Sequence, residues 1–337
     1  MSKTTIQDIA RVAGVSKSTV SRVLNGTAAV NPEKKAAVLE AIDRLGFKPN
    51  VIASSLAGGR SMTIGVVTQL IGSPFYDTIA QGVVAELHDT DYSPIFADGQ
   101  WQAAEELEAI QALLGRRVDG LVLIGGSLPG DEISDLCGDL PTVIVARQLS
   151  GRGNICISMD NELGSYQLTK HLIDKGHRKI AVVRGLEHHR DATDRFEGYQ
   201  RALRDNGIGL DSRLVYQGDF SAESGMSAVD KLLADKVEFT AVVAANDLTA
   251  FGVRLALHRH NVAVPEQVSI VGFDDQLETS FTIPPLTTLR QPAREMGSQA
   301  SKALLEMIAG NDFSSKVFQG ELVIRESVAE IARQSQA

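Results

Sequence analysis

The sequence has few of the residues that mark secreted, metal-binding or membrane-spanning proteins. Its two cysteines, Cys137 and Cys156, stand in no metal-binding or redox spacing, so we expect two reduced thiols. The longest apolar runs have the length of single strands and fall far short of a membrane span. The first residues lack the apolar segment of a signal peptide. We therefore expect a cytoplasmic protein with no membrane partner.

Positive charge is also scarce, except at the beginning of the chain. The net charge is −9, yet residues 1–60 hold nine Lys and Arg against four Asp and Glu, which leaves about −14 on the rest. A small basic segment on an acidic body indicates that this segment meets a polyanion and that the body does not. A length of 337 residues favours two or three domains.

Three short helices are predicted in the first 46 residues. The caps that bound them are predicted at Thr5, Gly14, Ser16, Asn31 and Gly46. Helical spacing gives each an apolar face, formed by Ile6, Ile9, Ala10 and Ala13, by Val20, Val23 and Leu24, and by Val38, Leu39, Ile42 and Leu45. Two helices joined by the tight turn at residues 14–16, the second with polar side chains outward, are typical of a helix-turn-helix. An ordinary three-helix bundle with a solvated face is the alternative.

From Met62 onward, strand patterns alternate with helix patterns. The candidate strands are 63–68, 93–97, 120–124, 142–146, 155–159, 179–183, 213–216, 241–244, 269–272 and 287–290. The candidate helices are 80–88, 105–114, 163–175, 195–206, 222–234 and 248–259. This alternation predicts an α/β core of two doubly wound, parallel-sheet halves. Ligands in such folds bind beyond the carboxyl ends of the strands.

Several long stretches carry a family resemblance. The segment TIQDIARVAGVSKSTVSRVLNG, followed by KPNVIASSLAGGRS, resembles the head and hinge of the lactose/galactose-repressor family. The core stretches RVDGLVLIGG and VPEQVSIVGFDD resemble the same family. The stretches SPFY, ATDRFEGY and FTAVVAANDLTAFG resemble its galactose- and β-glucoside-type members most. The resemblance implies an operator-reading helix-turn-helix head on a core folded like the periplasmic sugar-binding proteins.

The resemblance also implies which residues meet DNA. The second helix would dock in the major groove, and a short hinge helix would wedge an apolar side chain into the minor groove. The implied DNA-binding residues are Thr5, Ser16, Lys17, Ser18, Thr19, Ser21, Arg22, Asn25 and Asn31 in the head and Asn50, Ala53, Ser54 and Leu56 in the hinge. Many relatives carry Arg where this chain has Ser54-Ser55, so a charge contact in the minor groove is in doubt. The alternative for Leu56 is that it is simply an apolar residue of a linker and does not wedge into DNA.

A sugar site needs side chains that bind paired hydroxyls and flat aromatic rings that cover apolar C–H faces. Such residues follow several predicted strands. The ligand-binding residues implied by the resemblance are Phe75, Arg147, Asp191, Arg195, Phe220, Asn246, Asp274 and Gln291. Among them Arg195, Asn246 and Asp274 would bind hydroxyls, and Phe220 would stack on the ring.

Plainer interpretations compete for several of these positions. Phe75 and Phe220 could belong to the core, and Trp101 could either flank the mouth of the cleft or pack. Asp247 and Asp275 are interpreted as helix caps or turn residues rather than ligands.

Enzymatic and metal chemistry find little support in the sequence. Neither a phosphate-loop lysine motif nor a G-x-G-x-x-G after the first strand is present, and no Ser/His/Asp set has an evident geometry. His188-His189 has no partner at metal-ligand spacing, so a solvated loop is the expectation. We therefore expect no metal, no cofactor and no enzymatic activity.

The prediction that combines these observations is a transcriptional regulator, a repressor of sugar-utilisation genes whose operator affinity a small sugar changes. The predicted organisation is a head at residues 1–46, a hinge at 47–60, a ligand-binding and dimerisation core at 61–332 and a tail at 333–337. The tail is too short for a coiled coil of three or four heptads, which favours a homodimer. A purine-responsive regulator and a sugar-binding protein without a DNA role are the alternatives.

Overall fold

A computed structural model describes residues 4–25, 30–47, 60–149, 154–187 and 189–331. The predicted hinge residues Asn50, Ala53, Ser54 and Leu56, the side chain of Asn25 and the tail at 333–337 lie outside this part. The chain forms two compact units, one of residues 1–63 with 117–119 and one of residues 64–116 with 120–337. In the described part of the chain, no helix is long and apolar enough to cross a membrane.

The first unit contains three helices, α1 (Ile6–Val12), α2 (Lys17–Asn25) and α3 (Pro32–Leu45). All five predicted caps are confirmed. Thr5 and Asp8 form a reciprocal capping box on α1, and the Asn31 side chain accepts a hydrogen bond from the Glu33 amide at the start of α3. Gly14 and Gly46 have positive φ angles of 66° and 58°, as a left-handed helix end requires.

The core of the head is small and central. Ile9, Ala10, Val20, Val38 and Ala41 are buried in it. Two predicted members of the apolar faces are wrong, because Ile6 and Leu39 point to solvent with 38% and 51% of their surface exposed. Ala41, which was not predicted as part of the apolar face, is buried with 2% of its surface exposed.

The second unit is built on two parallel sheets, which confirms the predicted fold class. The first sheet has the order β11-β5-β4-β3-β1-β2. Its strands are β1 (Thr63–Thr68), β2 (Ser93–Asp98), β3 (Gly120–Ile124), β4 (Thr142–Val145), β5 (Ile155–Met159) and β11 (Lys316–Phe318). Around it lie α4 (Pro74–Leu87), α5 (Ala103–Gly115), α6 (Gly130–Cys137) and α11 (Ala293–Ala309). We call this sheet with its helices the first half of the core.

The second half is organised around a sheet of order β7-β6-β8-β9. Its strands are β6 (Ile180–Val183), β7 (Val215–Tyr216), β8 (Ala241–Ala244) and β9 (Ser269–Val271). Its helices are α7 (Asn161–Asp174), α8 (Arg190–Asp205), α9 (Ala222–Ala234) and α10 (Asp247–Arg259). The strands of this second sheet are almost continuously apolar because helices cover both of its faces.

The chain passes between the two halves three times. The first passage lies at residues 159–161, the second at 290–293 and the third at 318–321. The first and third passages touch, since the Asp160 amide donates to the Phe318 carbonyl at 2.9 Å. The antiparallel pair β10 (Thr288–Arg290) and β12 (Glu321–Val323) lies beside the second and third passages.

Most predicted elements of the core are confirmed, with shifted ends. Helix α8 begins at Arg190, so Arg195 lies inside it and does not open it as predicted. Residues 212–214 form a 3₁₀ turn ahead of β7, where a longer strand was predicted. Helices α6 and α11 and strands β11 and β12 were not predicted.

Candidate functional site

The exposed face of α2 carries the polar side chains that were predicted to meet DNA. Lys17, Ser18 and Arg22 are exposed, whereas Val20 on the opposite face is fully buried. Thr19 and Ser21 are half-buried at its edges. This face therefore presents two cations and short hydroxyl side chains, which suit phosphate oxygens and base edges in a major groove.

Three of the predicted DNA-binding residues also cap the ends of helices. The Ser16 hydroxyl accepts from the Thr19 amide at 3.2 Å and lies 2.8 Å from the Ser18 hydroxyl. Thr5 and Asn31 cap α1 and α3. These caps fix the orientation of α2 and its neighbours, so these residues act on the geometry of the face whether or not they touch DNA.

In the second unit a cavity of about 300 Å³ lies between the two halves of the core. This volume falls at the lower end of the range of about 300–1,000 Å³ that is usual for small-molecule sites. Its walls come from the segments that follow β1, β2, β6, β7, β8 and β9. All of these segments leave the carboxyl ends of parallel strands, which is where ligands bind in such folds.

Six of the eight predicted ligand-binding residues line this cavity. They are Phe75, Asp191, Arg195, Phe220, Asn246 and Asp274. The other two, Arg147 and Gln291, are not among its lining residues. The structure thus brings together residues that are up to about 200 positions apart in the chain.

Arg195 supplies the guanidinium in the cavity wall. Its Nε donates to Asn161 Oδ1 at 2.8 Å, its Nη1 donates to the Ala245 carbonyl at 2.6 Å, and its plane lies 3.7 Å from the centre of the Phe273 ring. Only 8% of the residue is exposed. Hydrogen bonds and stacking therefore hold the charge in one orientation, which a bidentate contact to a ligand requires.

Asp274 faces Arg195 from the loop after β9. Its Oδ1 lies 3.9 Å from Arg195 Nη1 and accepts from Gln291 Nε2 at 2.7 Å. Gln291 therefore orients Asp274 instead of lining the cavity, because its side chain ends on that carboxylate. Asp274 has a φ of 117°, in the region that favours glycine, so the surrounding contacts hold a strained backbone. Burial raises the pKa of Asp274 to about 6.

Asp191 is a second carboxylate in the wall, in the first turn of α8. Burial raises its pKa to about 6, while the nearby guanidinium groups of Arg195 and Arg147 act in the opposite direction. Near neutral pH both Asp191 and Asp274 are largely ionised and can accept hydrogen bonds from hydroxyl groups.

Asn246 both caps α10 and lines the cavity. Its Oδ1 accepts from the Thr249 amide at 2.9 Å, and its side-chain nitrogen remains as a donor group. Asp247, which was interpreted as a helix cap or turn residue rather than a ligand, is the first residue of the helix. It is fully buried and accepts from Thr288 Oγ1 and the Gln276 amide. Asp275 is a turn residue as predicted, paired with Arg290 and Arg325 at 2.7 and 2.6 Å.

A continuous row of aromatic rings crosses the cavity from one half to the other. Phe75, Tyr76 and Trp101 come from the first half, and His189 and Phe220 come from the second. Successive ring centres are 5.1, 5.4, 4.9 and 5.7 Å apart, each pair edge to face. Phe75 and Phe220 therefore lie in the wall. Trp101 lines the cavity and also packs against Tyr76 and His189.

His189 overturns the prediction of a solvated loop. It lies between Trp101 and Phe220, and burial together with Arg195 and Arg147 lowers its pKa to about 4, so it is neutral at physiological pH. Tyr76 and Asn161 were also missed by the sequence analysis. In the sequence SPFY, Tyr76 is visible only as the neighbour of Phe75. The position of Asn161 beside the α7 cap Asp160 indicates a role at the start of that helix and gives no sign of a role in the cavity.

Arg147, which was predicted to complete the wall, is not among the residues that line the cavity. Ala146 has a positive φ of 55°, which turns the chain after β4 so that Arg147 approaches Glu106, Asp191 and Cys156. Burial lowers the pKa of Arg147. Its Nη1 is buried and has no hydrogen-bond partner among the described residues.

Within the described residues, no group of three or more His, Cys, Asp or Glu side chains is arranged to hold a metal ion. Cys137 and Cys156 are both free thiols whose pKa is raised by burial. The side chains that line the cavity offer hydrogen-bonding groups and aromatic rings to a ligand.

Comparisons with known proteins match both units. Residues 5–50 match the family described as bacterial regulatory proteins, lacI family, and residues 169–328 match the periplasmic binding protein-like domain. The chain is 35% identical to the HTH-type transcriptional regulator AscG of Escherichia coli K12, over 96% of this chain and 98% of that protein.

Two solved structures resemble the whole chain. A lac repressor dimer bound to operator and the anti-inducer ONPF has a TM-score of 0.88 at 28% identity, covering 97% of this chain and all of that one. The transcriptional regulator CelR in complex with cellobiose has a TM-score of 0.73 at 31% identity, covering 96% of this chain and all of that one. The relatives are transcriptional regulators rather than enzymes, in agreement with the sequence analysis.

Proposed function

The chain belongs to the lacI family of bacterial regulatory proteins, and from this membership we propose that it represses sugar-utilisation genes in response to a small sugar. It is a DNA-binding transcriptional regulator. The observation that carries the proposal is the cavity in which Arg195, Asn246 and Asp274 converge beside a row of aromatic rings. Such a wall matches the hydroxyl groups and apolar faces of a sugar.

For the DNA-binding unit, we propose that Lys17, Ser18, Ser21 and Arg22 contact bases or phosphates. Their exposure on α2 and the basic balance of residues 1–60 support this assignment. The other proposed DNA-binding residues are Thr5, Ser16, Thr19, Asn25, Asn31, Asn50, Ala53, Ser54 and Leu56. We keep the boundaries 1–46, 47–60, 61–332 and 333–337 as the proposed organisation, and a cytoplasmic location as the proposed compartment.

For the effector, the mechanism we propose is linkage. A sugar that touches both halves of the core favours one relative arrangement of those halves, and operator affinity changes by the ratio of its affinities for the two arrangements. The proposed ligand-binding residues are Phe75, Arg147, Asp191, Arg195, Phe220, Asn246, Asp274 and Gln291, with Gln291 acting through Asp274. The electrostatic effect of Arg147 on the lining residues Asp191 and His189 supports keeping it in this set.

We also propose that the working form is a homodimer. The lac repressor that this chain resembles is a dimer on its operator. Both halves of the core expose large apolar side chains, among them Val84 and Phe96 in the first and Phe281 and Ile283 in the second, with 40–86% of their surface accessible. Two identical heads on a two-fold axis fit two operator half-sites.

The test of the DNA role is selection of duplexes from a random-sequence pool by the purified full-length protein. We expect enrichment of a two-fold symmetric site. Arg22→Ala should weaken binding to that site by roughly tenfold or more, as the loss of one base or phosphate contact does. Lys34→Ala, which removes an equally exposed charge from α3, is the matched control and should change binding far less. Failure to enrich any sequence would refute the DNA role.

The test of the effector role is a thermal-shift screen of sugars and purines. Stacking rings and an Arg could serve a purine base as well, so the aromatic row keeps this alternative open. A ligand of the cavity should raise the melting temperature in proportion to the logarithm of its concentration. Arg195→Ala should abolish that response, and a purine that stabilises the protein while no sugar does would favour the alternative.

A further inference from the structure

The segment directly ahead of strand β3 is hydrogen-bonded to the first residues after the proposed hinge. Asp119 Oδ1 accepts from the Ser61 amide at 2.8 Å and from the Ser61 hydroxyl at 3.1 Å, and Oδ2 accepts from the Met62 amide at 2.8 Å. The Asp119 amide donates to the Thr63 carbonyl at 2.8 Å. Residues 117–119 accordingly fall in the first compact unit. The end of the proposed hinge is therefore fastened to the segment that carries Asp119.

An exposed cation lies next to this attachment. Arg117 precedes Asp119 by two residues, which span at most about 7 Å. Arg117 is exposed, and its side chain forms no ion pair or hydrogen bond in the described part of the chain. Arg60, directly before Ser61, is exposed as well. Two cations therefore lie near the end of the proposed hinge, although the residues after position 60 carry about −14 in total.

The backbone of Arg117 is unusual for an arginine. Helix α5 ends at Gly115, Arg116 follows in a right-handed conformation, and Arg117 has a φ of 58°. Glycine is the usual residue at this position after a helix, and asparagine is the usual alternative, because other side chains are strained there. A strained residue points to a function that requires its side chain. What Arg117 adds at this position is an exposed guanidinium group.

The proposed hinge would bring this guanidinium near phosphate groups. Leu56 would lie on the floor of a minor groove, and the phosphates would stand about 7.5 Å above that floor, on the side of the protein. The five residues from Leu56 to Ser61 span at most about 18 Å. Ser61 would therefore lie within roughly 10 Å of the phosphate rim. Arg117 lies beside Ser61, and an extended arginine side chain covers most of that distance.

We propose that Arg117 binds a phosphate group of the operator at the rim of the minor groove. This contact would come from the start of the core and would add to those of the head and the hinge. Asp119 is the positioning residue, because it ties the end of the hinge to the segment that carries Arg117. The proposal rests on the proposed function, since it assumes that the hinge lies on DNA.

The experiment measures how operator binding depends on salt. The full-length parent and Arg117→Asn are titrated with the symmetric duplex that the parent selects, at salt concentrations between about 50 and 200 mM. Each phosphate that a cation neutralises contributes about 0.9 to the slope of log affinity against log salt concentration. Because both subunits of the proposed dimer lose one contact, the slope should become shallower by about 2. Affinity at about 100 mM salt should fall on the order of tenfold or more.

Asparagine is chosen because it removes the charge and tolerates the left-handed conformation. Arg117→Asn should therefore melt at the temperature of the parent or up to about 2 °C above it, which separates weaker DNA binding from unfolding. Lys236→Asn is the matched control. Lys236 is an exposed cation with a φ of 52°, at the equivalent position after α9 in the second half of the core. This control should keep the slope of the parent.

Two further measurements test whether the contact is with a phosphate. Arg117→Lys keeps the charge and should keep the slope. Base-pair substitutions in the site should weaken the binding of Arg117→Asn and of the parent by the same factor, because a phosphate contact carries no sequence information. An unchanged slope in Arg117→Asn, an equal fall in Lys236→Asn or in Arg117→Lys, or an altered sequence preference would each overturn the proposal.

Failure of this contact is distinguishable from failure of the proposed function. A parent protein that selects no duplex would refute the DNA role, and the phosphate contact with it. A parent protein that selects a symmetric duplex, with a slope that Arg117→Asn leaves unchanged, would keep the DNA role and lose this contact alone. No effector is present in these titrations, so their result is independent of the thermal-shift screen.

Discussion

At the residue scale, the Arg195 guanidinium is the charged group of the cavity wall whose orientation is fixed by the most contacts. Asn161 accepts the hydrogen bond from its Nε and is itself only 4% exposed. Asn161 also lies at the first passage of the chain between the two halves of the core. The orientation of a ligand-facing cation is therefore tied to the segment on which movement of the halves would turn.

A double-mutant cycle tests this tie. Asn161→Ala should lower the free energy of unfolding by about 1.5–3 kcal/mol, because it leaves a buried cationic donor without its acceptor. In the background of Arg195→Met the same change should cost at least about 1 kcal/mol less. The free energies come from urea unfolding of the four proteins.

The control cycle pairs Asn161→Ala with Asp205→Asn, whose side chain is exposed at the end of α8. Those effects should add to within about 0.5 kcal/mol. Strict additivity in the first cycle would show that Asn161 does not hold Arg195.

The raised pKa of Asp191 predicts how the stability of the folded protein depends on pH. Its carboxyl has an ordinary pKa of 3.8 and a folded pKa of about 6, so the folded chain holds this proton more tightly than the unfolded chain. Ionisation of Asp191 therefore reduces stability as pH rises from about 4 to 6, and the full cost is present above about 6. Asp191→Asn should stabilise the ligand-free protein by about 1–2 kcal/mol at pH 7.5, after allowance for solvent screening.

That gain should shrink by about half at pH 5, where the folded protein carries Asp191 mostly protonated. Urea unfolding of Asp191→Asn and the parent protein at the two pH values measures it, with Asp205→Asn as the charge-matched control. A gain that does not decline on acidification would mean that the carboxylate is not destabilised by burial.

The site residues that could be predicted from the sequence are those whose side chain suits a sugar and whose position follows a predicted strand. Arg195, Asp274 and Phe220 are of this kind, and all three line the cavity. Asn161 and His189 could not be predicted, because their contacts join segments that are distant in the chain. The position of the Arg147 side chain could not be predicted for a related reason, because the backbone turn at Ala146 directs it.

At the scale of elements, close helix packing positions both walls of the cavity. Helices α4 and α11 cross at two glycines of the first half. A Cβ added at Gly297 would lie 2.0 Å from the Ile79 carbonyl oxygen, and one added at Gly82 would lie 2.1 Å from that of Arg294. The backbones are therefore in contact, and α4 carries Phe75 and Tyr76 into the cavity from its first turn.

Gly297→Ala should consequently destabilise the protein, although alanine favours helices. We expect a net loss of about 1–3 kcal/mol of unfolding free energy, since the carbonyl that the new methyl group meets belongs to a rigid helix. Calorimetric or urea unfolding measures the loss.

Gly115→Ala at the end of α5 is the matched control, because a Cβ there meets nothing within 4 Å. It should be neutral or slightly stabilising. A Gly297→Ala protein as stable as the parent would show that α4 and α11 can separate without cost.

Elements with a long apolar rhythm could be predicted from the sequence, and short or irregular ones could not. Strands β11 and β12 have three residues each, too few to show a period. Helix α11 is long, but Gly297 interrupts its interior, and much of its buried stripe is alanine and serine instead of leucine. Close contact between the two helix backbones requires small residues, and small residues weaken the apolar periodicity from which a helix is predicted.

At the scale of the whole molecule, the second half of the core exposes a segment that is unusually apolar for a surface. Leu277, Phe281 and Ile283 have 73%, 74% and 86% of their surface accessible. Exposed large apolar groups in such proximity mark interaction surfaces. We propose that this segment is part of the surface that a homodimer covers, which would give the regulator the two-fold symmetry that a symmetric operator demands.

Ile283→Asp tests this role. Placing a charge in the covered surface should convert a dimer into a monomer at low micromolar concentration, because an unpaired buried carboxylate costs more than the interface can supply at one point. Sedimentation velocity measures the state. Leu210→Asp, which places the same charge at a leucine that is 48% exposed elsewhere in the core, should remain dimeric.

Since each monomer offers one head, Ile283→Asp should also lose most of its affinity for the full symmetric site while binding a half-site unchanged. A parent protein that sediments as a monomer or a tetramer, or an Ile283→Asp protein that stays dimeric, would contradict the proposed assembly.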